Sequence, residues 1–80
     1  MSDRHQRVAL ERITEATAVI VEAEARVARE VARAVFHGAT WAQIGAALGV
    51  TAQSAHRRYR HMVYDPATGT AWSAPPLPLI

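Results

Sequence analysis

From about Asp3 to Phe36 the chain carries no Gly or Pro, and its apolar residues recur at helical spacing, which predicts one long helix over that span. Ser2 or Asp3 can cap its start, and Gly38 can turn left-handed and end it. Opposite charges four residues apart, Arg7 with Glu11, Glu22 with Arg26 and Arg26 with Glu30, support it from the surface. The β-branched run Val19-Ile20-Val21 is its weakest stretch. Two apolar strips run along this helix. In the first, Ile13, Ile20, Val27 and Ala34 recur every seven residues, with Ala9, Ala16 and Ala23 beside them. In the second stand Val21, Ala25, Ala28, Ala32 and Val35. One small core cannot easily cover both. The expectation is that one strip packs inside the monomer, while Ile13, Ala16, Ile20, Ala23 and Val27 meet an identical subunit. The plainer alternative is a helix that only completes the monomer core.

The pattern then shortens. In Ala39-Thr40-Trp41-Ala42-Gln43-Ile44 the Thr40 hydroxyl can accept from the Gln43 amide while the Gln43 side chain reaches back, a capping box that opens a second helix. That helix runs to about Leu48 and stops at Gly49, and Thr51 caps a third helix through about Val63. Ile44, Leu48, Val50, Ala55 and Tyr59 are apolar where these two helices must pack together. Gly45 falls where they approach closely, and Gly49 where the chain turns sharply. The remainder is turn-like at Asp65-Pro66-Ala67-Thr68-Gly69 and then proline-rich from Ala74 to Ile80. The expected fold is all-α: a long N-terminal helix, a helix-turn-helix over 40–63, and a turn and short proline-rich tail over 64–80. Residues 1–63 form the helical domain.

Eighty residues make one small domain whose own core leaves it marginally stable, which favours a partner subunit. There is no cysteine, so disulfides, thiolate zinc sites and thiol nucleophiles are excluded. No apolar run reaches a membrane-spanning length of about 20 residues, and Met1 to Arg7 does not have the character of a signal peptide, so a cytoplasmic, nucleoid-associated protein is expected. The net charge of +2 says little until it is divided along the chain. Residues 1–36 balance six Arg against six acids, whereas residues 37–80 set Arg57, Arg58 and Arg60 against Asp65 alone, with His56 and His61 at either end of the basic segment.

On a wheel of about 100° per residue with Ala55 facing the core, Tyr59 and Met62 also face inward. Gln53, Arg57 and Arg60 cluster on the opposite side, flanked by Ser54 and His56. That outer face has the side chains that base edges require, since Arg pairs with guanine, Gln with adenine, and Ser or His with bases or phosphates. Arg58 lies nearer the core edge and is expected to meet phosphate, as are Thr40, Thr51 and the free amides at the helix starts. The segment Thr40 to Arg60, TWAQIGAALGVTAQSAHRRYR, resembles the helix-turn-helix of bacterial transcription regulators. It is most similar to the last DNA-reading domain of sigma factors, with its W/Y-x-x-I-G/A-x-x-L-G-V-T/S pattern, although many members carry Ala at the position of Gly45. The resemblance spans about a quarter of the chain, and it implies base contacts from Gln53, His56 and Arg57.

No nucleophile triad, glycine-rich phosphate loop or paired-carboxylate pocket is recognisable, so neither an enzyme nor a cofactor is expected. His56 and His61 lack a third ligand, and no metal is expected. The function this predicts is sequence-specific binding of double-stranded DNA by a homodimeric transcriptional regulator, with half-sites about 34 to 36 Å apart and no membrane association. A non-catalytic protein-interaction adaptor, or a small DNA-organising or plasmid-maintenance protein, is the alternative.

Overall fold

A computed structural model describes residues 2–74. The chain forms α1 (Ser2–Phe36), α2 (Trp41–Leu48), α3 (Ala52–Tyr59), β1 (Met62–Asp65) and β2 (Thr70–Ser73). The protein is mostly helical with a long N-terminal helix, as the periodicity predicts, but it is not all-α. The two strands pair antiparallel, with Met62 opposite Ser73, Val63 opposite Trp72, Tyr64 opposite Ala71 and Asp65 opposite Thr70. The third helix therefore stops at Tyr59, short of the expected Val63, and Met62 is half-buried on a strand instead of lying in the helix sector of Ala55. The turn residues explain why. The Asp65 carboxylate accepts from the Ala67 amide at 2.9 Å, and its carbonyl accepts from the amide of Gly69, which takes φ +69°. This closes the hairpin, so the β-branched and aromatic residues on either side of the turn pair as strands. The prolines at 75, 76 and 78 and the apolar residues after them lie outside the described residues.

α1 runs unbroken through Val19-Ile20-Val21, and its two internal threonines are satisfied locally. Thr14 and Thr17 donate to the carbonyls of Leu10 and Ile13 at 3.3 and 2.8 Å. None of the three expected ion pairs closes. Among the described residues the close pair is Glu30 with Arg33 at 3.9 Å, exposed on both sides and so worth little. The helix ends where Gly38 takes φ +89°, and the amides of Gly38 and Ala39 donate back to the carbonyls of Val35 and Ala34.

The capping box of α2 forms as read: the Gln43 amide donates to Thr40 Oγ1 at 3.1 Å and the Thr40 amide to Gln43 Oε1 at 2.9 Å. Gly49 ends α2 in the left-handed region at φ +78°, and Thr51 caps α3 by accepting from the Ser54 amide at 3.1 Å. Gly45 is buried against the turn between the two helices. A Cβ built there would stand 2.8 Å from the Val50 carbonyl oxygen and 2.9 Å from the Thr51 carbonyl carbon. Val50 is exposed, at the edge of the α2–α3 contact and not buried within it, which corrects its expected place between the helices. Its backbone, not its side chain, fills the contact.

The core is small: Val31, Ile44 and Ala55, with Ala34, Ala39, Trp41, Leu48 and Tyr59 packed around them. Ala32 is buried outside this cluster and shares a helix face with Phe36, whose ring meets that of Tyr64 on β1 at 5.5 Å. The monomer thus uses the C-terminal end of both apolar strips, one against α2 and α3 and one toward the hairpin. From residue 3 to residue 27, α1 is exposed throughout. A 35-residue helix is about 52 Å long, and most of it stands clear of the rest of the chain. The radius of gyration of 17.6 Å, against about 12 Å for a compact chain of this length, reflects that projection.

Candidate nucleic-acid interface

α3 is positioned from both ends and from behind. Thr51 fixes its first turn, Gly45 lets the turn before it sit close, and Ala55, only 1% exposed, seats its back against the core. The side chains on its other face are exposed: Gln53, Ser54, His56, Arg57, Arg58 and, at the C-cap, Arg60. Thr40 and Thr51 are exposed as well. Each hydroxyl already accepts a capping amide and keeps its own proton for donation.

The exposed residues are not equivalent. Gln53 and Arg57 make no side-chain hydrogen bond or ion pair among the described residues. His56 leans toward α2, where its ring meets Trp41 edge-on with centroids 5.2 Å apart. Arg58 turns back over its neighbour, its guanidinium carbon 5.4 Å from the centre of the Tyr59 ring, a cation held against an aromatic face. With Ser54 it borders a shallow pocket shared with Leu48, Val50, Ala55 and Tyr59. Arg60 donates through Nε to Nε2 of His61 at 3.1 Å. The outer face therefore separates into an unencumbered pair, Gln53 and Arg57, and a rim of residues braced by neighbours. Wheel geometry anticipates the position of Arg58 at the edge. It could not anticipate that Trp41, from another helix, braces His56.

Electrostatically the segment is one-signed. No carboxylate lies within ion-pair distance of Arg57, Arg58 or Arg60 among the described residues, and Asp65 is engaged in its own turn. Helix starts add partial positive charge, since the amides of Ala52 and Gln53 precede the first intrahelical acceptors. No group of three His, Asp or Glu residues comes together among the described residues.

The predicted subunit contact residues lie on one stripe of α1, outside the core. Ile13 is 61% exposed and Ile20 57%, and Ala16, Ala23 and Val27 are also exposed. The stripe leads into a groove of about 530 Å³ lined by Ala23, Val27, Val31 and Ala34 of α1 and by Ile44 and Leu48 of α2. Sequence reasoning found the stripe but not the groove, because α2's side of it depends on how the helices cross. On the hairpin, Val63 and Trp72 face each other across the strands and are both exposed, a pair invisible without the strand register.

No known protein family, curated protein or solved structure matches the chain. No described helix is long and apolar enough to cross a membrane.

Proposed function

We propose that this chain is a sequence-specific double-stranded DNA-binding protein that regulates transcription as a homodimer, with α2 and α3 acting as a helix-turn-helix. The observation that carries the reading is the division of α3: Ala55 seated in the core behind, and Gln53 and Arg57 free and exposed in front. A free Arg and Gln on one face of a helix match guanine and adenine edges in the major groove. Arg58, Arg60, Thr40, Thr51 and the α3 amides then meet the flanking phosphates, and His56 contributes from the edge where Trp41 holds it. The role is occupancy of DNA, without catalysis. Bare α1 supplies the second subunit through Ile13, Ala16, Ile20, Ala23 and Val27.

The test is a titration of duplex DNA at several salt concentrations. Each neutralised phosphate contributes a slope of about −0.9 to the log-log dependence of affinity on salt. A linear fall over several phosphates is expected. Absence of duplex binding even at low salt would refute the reading and leave a protein-interaction adaptor.

A further inference from the structure

A compact chain of 8.7 kDa exposes about 4,700 Å². This one exposes 6757 Å², more than a compact chain of its mass, and obligate dimers bury about 2,000 to 5,000 Å². The uncovered apolar surface is concentrated on α1. Its second strip is broken along the bare length by Thr14, Thr17 and Glu24. Its first strip, Ala9, Ile13, Ala16, Ile20, Ala23 and Val27, is apolar without interruption and runs into the groove beside α2. We propose that a second copy of α1 lies antiparallel along this strip, each large residue set against an alanine of the partner, so that the partner's N-terminal turns close the groove between α1 and α2. The proposal rests on the homodimer reading above and adds its orientation and register.

Size complementarity decides the direction. The strip alternates a β-branched residue with alanine. Parallel and in register, its layers would be Ile on Ile, then Ala on Ala. One helix separation cannot fit both, and the alanine layers would leave voids whose lining residues lose their contacts. Antiparallel, with Ile13 opposite the partner's Ala23, Ile20 opposite the partner's Ala16 and Val27 opposite the partner's Ala9, every layer holds one large and one small residue. The helices then approach evenly and closely.

Charge points the same way. The next residue along the strip is Glu30, which in a parallel pair would face the partner's Glu30, a like-charge contact at the core of the interface. In the antiparallel register it faces the partner's Gln6, whose amide can donate to it. On the flank, Arg12 approaches the partner's Arg26, with Glu30 one turn further along to offset that pair.

The register has a functional consequence. It carries the C-terminal ends of the two α1 helices about 54 Å apart, so the α3 faces sit toward opposite ends of a rod. That exceeds the one-turn spacing of about 34 to 36 Å, and the half-sites are accordingly separated by more than one turn of DNA.

The native chain has no cysteine, so single thiols report cleanly. Ala9→Cys and Val27→Cys are small changes on exposed positions. The two variants are mixed, allowed to exchange subunits, and treated with a short thiol cross-linker, and the covalent products are separated under denaturing conditions. The expected result is a mixed product that joins the Ala9→Cys chain to the Val27→Cys chain. Each variant alone should remain uncoupled, because in this register its two thiols lie about 27 Å apart. Self-coupling of each variant alone, without preference for the mixed product, would overturn the antiparallel register. So would a wild-type dimer in sedimentation whose variants yield neither product. A wild-type chain that sediments only as a monomer would instead overturn the homodimer reading itself.

Discussion

Replacing Gly45 by Ala tests whether the close approach of α2 to the following turn holds α3 in place. Two effects oppose each other. Inside a helix Ala is favoured over Gly by about 1 kcal/mol. Against this, the new Cβ would meet the Val50 carbonyl oxygen at 2.8 Å, the Thr51 carbonyl carbon at 2.9 Å and the Ala52 nitrogen at 3.0 Å. All three are backbone atoms, which cannot rotate away as a side-chain tip can, so the turn and the start of α3 must shift. Overpacking of this kind costs about 1 to 3 kcal/mol, and the net expectation is a loss of about 1 kcal/mol. In a domain of this size that lowers the melting midpoint by about 4 to 8 °C. Midpoints are compared at one protomer concentration, because a dimer's apparent stability depends on it. Gly49→Asn serves as the control: nothing lies within 4 Å of a Cβ there, and at φ +78° Asn is the best-tolerated replacement. Duplex affinity is measured alongside, and the Gly45 variant should lose more of it than the Gly49 variant does. A Gly45→Ala protein as stable as the wild type, with unchanged affinity, would refute the claim that this contact sets the position of α3.

Arg57→Ala should cost about 1 to 3 kcal/mol on the preferred duplex and relax selectivity at one base position in each half-site, whereas Arg58→Ala should weaken all duplexes alike. Affinities for the preferred site, its single-base variants and unrelated DNA at one salt concentration distinguish the two, and a uniform loss in the Arg57 variant would remove α3 as the reader. Ile20→Glu places a charge in the middle of the subunit contact, so sedimentation should show dissociation and DNA affinity should fall with it. A footprint on selected DNA should protect two half-sites centred more than one helical turn apart, and half-sites about 34 Å apart would contradict the antiparallel rod.

The starts of α2 and α3 and the stops of α1 and α2 were legible because each depends on neighbours three or four residues away. Thr40 with Gln43, Thr51 with Ser54, and the left-handed glycines at 38 and 49 need no distant partner, and all appear where the residues predict them. The outward direction of Gln53 and Arg57 was legible for the same reason, since it follows from helical pitch once Ala55 is known to face in. The end of α3 was not. His61 to Val63 continue the helical pattern locally, and Met62 and Val63 become strand only because Thr70 to Ser73 return beside them and the pair packs on α1. A four-residue strand has no stability without its partner, so its pattern in one dimension carries almost no signal. The brace of Trp41 on His56 and the exposure of Val50 were hidden likewise, each depending on how two helices cross. Most consequential is what the monomer leaves uncovered. Periodicity along α1 marks both apolar strips, but how far up them the core reaches is decided by the small volume of α2, α3 and the hairpin. That volume covers the helix only near its C-terminal end, because so few residues can surround no more than the last turns of a helix about 52 Å long.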